Sequence, residues 1–210
     1  TGMVAYVNPL MTGEHPEFSS PENDFWCCVG TGIESHAKYG ESIYWRTKDE
    51  LIVNLFIPST LDWTAEHTRV ELTTGYPFAD DIELKIVERK SRAPLTLALR
   101  VPAWCAHPQV KLNGEPANAR IENGYARIRR AWKAGDKLPL SLPRTLRIEP
   151  TPDDAGTIAL LHGPLVLAAD LGPATEEWSG VDPFFVAQDV LAGIAPVADG
   201  AGARPGSIAG

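Results

Sequence analysis

Leu95-Thr96-Leu97-Ala98-Leu99-Arg100-Val101 places an aliphatic side chain at every second position and ends at Pro102. A period of two is that of a strand with one face in a core. Pro102 has no N–H to give to a ladder, so the strand stops there. The pattern recurs on both sides of this stretch. Upstream, Thr68-Arg69-Val70-Glu71-Leu72-Thr73 and Ile82-Glu83-Leu84-Lys85-Ile86-Val87 alternate in the same way. Before them, Ile43-Tyr44-Trp45 and Leu51-Ile52-Val53-Asn54-Leu55-Phe56 flank Lys48-Asp49-Glu50, which reads as a hairpin turn. Downstream, Val110-Lys111-Leu112 meets Asn113-Gly114, a strong hairpin signal. Tyr125-Ala126-Arg127-Ile128, Leu138-Pro139-Leu140-Ser141-Leu142 and Leu146-Arg147-Ile148-Glu149 follow. The last strands expected are Thr157-Ile158-Ala159-Leu160-Leu161 and Leu165-Val166-Leu167-Ala168, hinged at Gly163-Pro164. About ten short strands at turn-punctuated spacing predict an antiparallel β-sandwich over residues 42–170.

The composition agrees with a soluble globular chain. Of 210 residues, 44% are hydrophobic and 22% charged. No apolar run approaches the roughly 20 residues needed to span a bilayer. A net charge of −8 with no basic stripe disfavours nucleic acid or an anionic membrane as a partner. The sequence does not specify a compartment or an oligomeric state, and it carries no internal repeat of solenoid or propeller length. Residues 171–210 read as a truncated, partly irregular tail, with a short helix expected around 187–191. The start at Thr1 without a leader, and the Gly/Ala-rich end, lead us to expect a piece of a longer protein.

The chemistry gathers N-terminal to the strands. Residues 1–24 are irregular, with Val4-Ala5-Tyr6-Val7 as a possible short strand and a long loop over 8–24. Loops of that length inside a compact domain are usually functional or disordered. This one leads directly into Phe25-Trp26-Cys27-Cys28-Val29-Gly30-Thr31-Gly32-Ile33-Glu34-Ser35-His36. A disulfide between neighbouring cysteines closes a strained ring, so thiols are expected here. A thiolate binds a borderline metal such as zinc, or acts as a nucleophile when its pKa is lowered. Against both stands the plain alternative of two small buried hydrophobes. A helix is expected over 32–39, with Thr31 as N-cap, Glu34 closing a capping box and Gly40 as the stop. That places the cysteines at or just before a helix N-terminus, where free N–H groups favour a thiolate. Cys105, at the end of a strand, reads as a buried thiol.

Several other features have plainer readings. Glu34 completes a cap, and His36 is structural or solvated rather than a sugar contact. The pairs Asp80-Asp81, Asp153-Asp154 and Glu176-Glu177 are turn residues, not acid/base pairs. Trp45, Trp63, Trp104 and Trp132 are core or sheet-edge packing rather than a sugar-stacking platform.

A family resemblance rests on Tyr6-Val7-Asn8-Pro9-Leu10, the segment from Phe25 through Cys27-Cys28-Val29-Gly30-Thr31-Gly32 to Glu41, Val53-Asn54-Leu55-Phe56-Ile57-Pro58-Ser59, Leu99-Arg100-Val101-Pro102-Ala103-Trp104, and His162-Gly163-Pro164-Leu165-Val166-Leu167-Ala168. Together these resemble the β-L-arabinofuranosidase group, glycoside hydrolase families 127 and 146. The resemblance implies an (α/α)6-barrel catalytic domain followed by β-sandwich domains. Residues 1–41 would close the barrel domain and carry the Cys-Cys motif, and 42–170 would be the sandwich. It implies Cys27 as nucleophile and zinc ligand, and Cys28 as a second zinc ligand. It implies a retaining hydrolase of β-linked L-arabinofuranosides acting on an arabinofuranosyl glycan or glycopeptide. The remaining ligands, a Cys and a Glu, and the Glu acid/base would lie outside this chain, so the chain alone would be inactive. The other functional class is a non-catalytic sandwich module with a structural or carbohydrate-binding role.

Overall fold

The computed structural model describes residues 2–8, 14–168, 190–196 and 208–209. It divides into two compact units that part between Glu41 and Ser42, the second holding Ser42–Leu167. Most of the 171–210 stretch, including Glu176-Glu177 and most of the helix expected around 187–191, lies outside the described residues. Leu191–Gly193 forms a 3-10 turn.

The second unit is built from β1 (Tyr44–Arg46), β2 (Glu50–Val53), β3 (Ser59–Trp63), β4 (Thr68–Thr74), β5 (Asp81–Arg89), β6 (Leu95–Arg100) and β7 (Gln109–Leu112). There follow β8 (Glu115–Pro116), β9 (Arg120–Glu122), β10 (Tyr125–Arg130), β11 (Lys137–Ser141), β12 (Leu146–Pro150), β13 (Ile158–His162) and β14 (Leu165–Val166). One sheet runs β1-β2-β6-β10-β9, and a second runs β3-β4-β5-β11-β7-β8. A small sheet, β12-β13-β14, follows. The chain is therefore mainly β, with antiparallel sheets in a sandwich as expected.

Alternation decides which face is inside. Leu95, Leu97 and Leu99 of β6 are buried, and Leu51 and Val53 of β2 join them from the same sheet. Val70, Leu72, Ile82, Leu84, Ile86, Leu138 and Leu140 face them from the other sheet, and all belong to one hydrophobic cluster. Each fully buried aliphatic side chain contributes about 1.5–3 kcal/mol by leaving water. Trp132 is buried with its indole N–H donated to the Leu95 carbonyl at 2.8 Å. A buried Trp needs such an acceptor, and the β6 backbone supplies it.

Three features depart from the sequence expectation. The β2–β6 pair is parallel, with Leu51 opposite Leu97. The chain leaves the first sheet after Val53, builds β3, β4 and β5 in the second, and returns beside β2. Strand β3 carries little sequence signal, because Ser59, Thr60 and Asp62 leave only Leu61 and Trp63 to mark its alternation. Strand β9 is three residues long and lies at a sheet edge.

The turn chemistry follows the sequence. Asn113 and Gly114 take φ of 52° and 94°, the left-handed pair of a tight hairpin between β7 and β8. Gly163 turns β13 into β14 at φ 60°, where a Cβ would run into the Arg144 side chain. Glycine is needed there on both counts.

Candidate active site

In the first unit residues 18–19 return alongside residues 4–5. The Ser19 N–H donates to the Val4 carbonyl at 2.9 Å, and the Val4 N–H donates to Ser19 Oγ at 3.0 Å. Ala5 and Phe18 form a β-bridge, so 4–7 makes one bridging contact rather than the short strand expected. Ser19 is buried, which fixes the residues on either side of it. The Ser20 N–H bonds the Asp24 carboxylate, and the Asn23 N–H donates to Ser20 Oγ at 3.0 Å. These bonds close the turn that delivers the chain to the cysteine pair.

The helix α1 runs Cys27–Lys38. It starts five residues before the position expected, and the capping box does not form. Trp26 is the N-cap, with no side-chain cap bond. The reason is local. The Thr31 hydroxyl donates backward to the Cys27 and Cys28 carbonyls at 3.3 and 3.2 Å, so it serves a helix already under way. Glycine at 32 weakens a helix by about 1 kcal/mol relative to alanine. In return it admits the N-terminal segment, because a Cβ there would stand 3.2 Å from Val4 Cγ2.

This folding places Tyr6, Val7, His15, Glu17, Trp26 and Cys27 around one open pocket of ≈ 530 Å³. The volume is that of a small-molecule site. Cys27 is exposed and Cys28 half-buried, and their Sγ atoms lie 3.9 Å apart as free thiols. Both occupy the first turn of α1, where unpaired N–H groups favour negative charge. In this chain neither cysteine of the pair is a core residue. Cys105, in contrast, is buried in the sandwich core. The Cys28 thiol is pushed above its ordinary value by desolvation first, then by the hydrogen bond and charge of Cys27. Two neighbouring thiolates need a cation between them.

The sulfur spacing fits that cation. Two ligands at ~2.3 Å from a tetrahedral zinc stand about 3.8 Å apart, close to the 3.9 Å seen here. Among the described residues no group of three or more His, Cys, Asp or Glu is gathered as a metal site. Cys27 and Cys28 could supply two donors of a four-ligand set.

Most of the remaining candidates fall where the plain readings put them, but Glu34 closes no cap and Asp81 opens β5 rather than lying in a turn. Glu34 and His36 are exposed on α1, and the His36 ring meets Tyr39 edge-on at 5.3 Å. Asp80 pairs with Arg144, and Asp154 accepts the Gly156 N–H at 2.8 Å and the Thr157 hydroxyl at 2.7 Å. Trp63 and Trp132 are buried, Trp104 packs on the core, and only Trp45 of the four is exposed. Sequence reasoning did not place His15 or Glu17 at the site. The signal that pointed toward them was the length of the loop.

The family model for the β-L-arabinofuranosidase GH127 catalytic domain matches residues 1–41, the unit that carries the pocket. The model for the GH127 middle domain matches residues 50–144, within the sandwich. The chain belongs to the GH127 β-L-arabinofuranosidase family. A non-reducing end β-L-arabinofuranosidase of Bifidobacterium longum subsp. longum is 26% identical over 124 residues, covering 55% of this chain and 18% of its own length. Among solved structures, a GH127 β-L-arabinofuranosidase from Geobacillus stearothermophilus T6 superposes with TM-score 0.61 at 32% identity. That match covers 67% of this chain and 23% of the other. A second GH127 β-arabinofuranosidase gives TM-score 0.56 at 29% identity, over 67% of this chain and 25% of its own. This GH127 chain thus spans a quarter or less of the length of each of these relatives. Among the described residues no helix is long and apolar enough to cross a membrane.

Proposed function

We propose that this chain is part of a longer retaining glycoside hydrolase that releases β-linked L-arabinofuranose from an arabinofuranosyl glycan or glycopeptide. Cys27 is its nucleophile, and Cys27 and Cys28 are zinc ligands. The observation that carries the reading is the exposed Cys27 thiol, in the first turn of α1 and lining the pocket, with Cys28 Sγ at 3.9 Å. The small share of each relative's length that the chain covers supports a longer parent.

In the first step Cys27 Sγ attacks the anomeric carbon. A C–S bond forms as the glycosidic C–O bond breaks, and the leaving oxygen takes a proton from a general acid. In the second step the same group, now a base, removes a proton from water. The water oxygen attacks the carbon, and the C–S bond returns its electrons to sulfur. Two inversions give retention, with a thiol where most retaining enzymes use a carboxylate. Cys27 and Cys28 would hold a zinc ion, and its charge would keep their thiols deprotonated near neutral pH. The helix N-terminus adds to that stabilisation. Tyr6 and Trp26 offer aromatic faces to the sugar and narrow the access of water. The acid/base is a glutamate outside this chain, as the family resemblance implies.

The test is made on the full-length protein with an aryl β-L-arabinofuranoside. It should bind about one zinc per chain and lose it on Cys27→Ser plus Cys28→Ser. Cys27→Ala should abolish turnover, and full activity in that variant sinks the assignment. Turnover by the 210-residue chain alone contradicts the placement of the acid/base outside it.

A further inference from the structure

We propose that His15 and Glu17 select the sugar in this pocket, by hydrogen-bonding its hydroxyls while Cys27 addresses the anomeric carbon. The proposal rests on the reading of Cys27 as the nucleophile. Among the described residues six side chains line the pocket, and beyond Cys27 and the Tyr6 hydroxyl the strongest polar groups of these are the His15 imidazole and the Glu17 carboxylate. Both are exposed, and among the described residues no hydrogen bond or ion pair engages either one. They stand two residues apart in a non-helical segment, a spacing that sends side chains to the same side in extended chain.

Their position is fixed from one end. Phe18 bridges Ala5, and buried Ser19 ties to Val4 through two hydrogen bonds. Glu17 is therefore adjacent to an anchored residue rather than at the tip of a free loop. The chemistry suits a sugar. A carboxylate accepts from neighbouring hydroxyls, while an imidazole both donates and accepts. Tyr6 and Trp26 take the C–H face, leaving orientation to these few polar groups. A site that hydrogen-bonds a hydroxyl discriminates strongly against an epimer that presents it elsewhere.

The experiment uses the full-length protein and compares Glu17→Gln and His15→Ala with the wild type. The substrates are an aryl β-L-arabinofuranoside and the corresponding aryl β-L-ribofuranoside, its C2 epimer, with Cys27→Ala run alongside. The expected result is a rise of about tenfold in KM for the arabinofuranoside in each variant, with kcat within about twofold and a narrowed preference between the two sugars. Melting temperature should not change, since both side chains are exposed. Unchanged KM and unchanged preference in both variants overturn the proposal. So does a collapse of kcat in Glu17→Gln with loss of one limb of the pH profile, which would make Glu17 a proton-transfer group. An inactive Cys27→Ala beside wild-type-like Glu17 and His15 variants removes this proposal alone. An active Cys27→Ala removes the nucleophile reading on which it rests.

Discussion

Replacing Asp136 with alanine removes the acceptor on which two neighbouring turns of the sandwich close. Asp136 Oδ1 accepts the Asn113 side-chain amide at 2.9 Å, and Oδ2 accepts the Lys133 N–H at 2.9 Å. Arg130 Nη2 stands 3.9 Å away, and the Asp136 side chain is 10% exposed. Asn113 also accepts the Lys137 N–H at 2.8 Å, so the Asn-Gly hairpin is fastened to the start of β11. A hydrogen bond to a charged group nets about 1.5–3 kcal/mol. Two are lost here, and water partly re-solvates the freed donors, so we expect a cost of about 3 kcal/mol. For a unit of this size that lowers the melting temperature by roughly 10 °C. Asp136→Asn keeps one acceptor oxygen and should fall between.

The effect carries a pH signature. Burial alone would raise the Asp136 pKa. The Asn113 and Lys133 hydrogen bonds and the charges of Arg130 and Lys133 outweigh it and hold the carboxyl below its ordinary value. A depressed carboxylate stabilises the fold fully above its unfolded pKa of about 3.9 and loses that contribution as pH falls through the folded value. Urea midpoints of wild type and Asp136→Ala should therefore differ by a constant amount from pH 7 to about pH 5 and converge below about pH 4. A difference under about 1 kcal/mol at pH 7, or one that persists undiminished at pH 3, refutes the reasoning.

Other outcomes follow from the same structure. Leu97→Ala empties a fully buried site at the centre of β6 and should cost about 3–4 kcal/mol by urea denaturation. Iodoacetamide mapping by mass spectrometry at pH 8 should label Cys27 on the native chain and leave Cys105 unlabelled until denaturant is added. Cys105 is buried, and desolvation pushes its thiol above the ordinary value. Gly163→Ala should destabilise by more than 1 kcal/mol, since φ is 60° and Arg144 occupies the space, and thermal melting reports it.

Most of the sandwich was legible because one physical rule writes it. A strand with one buried face must alternate, and β4, β5 and β6 do so over their length. The Asn113-Gly114 turn was legible because few residues tolerate positive φ. The parallel β2–β6 pairing was not, since pairing partners are chosen by long-range packing that leaves no local mark. The clamp of Asp136 on Asn113 joins residues on two separate loops and was hidden for the same reason. In the N-terminal unit the cysteine pair was legible as chemistry. The start of α1 was misplaced because Thr31 and Glu34 imitate a cap, while the hydroxyl bonds backward into an existing turn. His15 and Glu17 line the pocket beside Ser19, which is tied to Val4 by a tertiary contact with no periodic signal.

In the proposed site Cys27 is both nucleophile and zinc ligand, so its substitution removes metal and chemistry together. The direct measurement is peptide mass spectrometry of the full-length protein, quenched with acid during turnover of an aryl β-L-arabinofuranoside. A mass increase of one anhydropentose on the peptide containing Cys27, located on its sulfur, is the predicted result. The same increase on a carboxylate, with Cys27 unmodified, contradicts it.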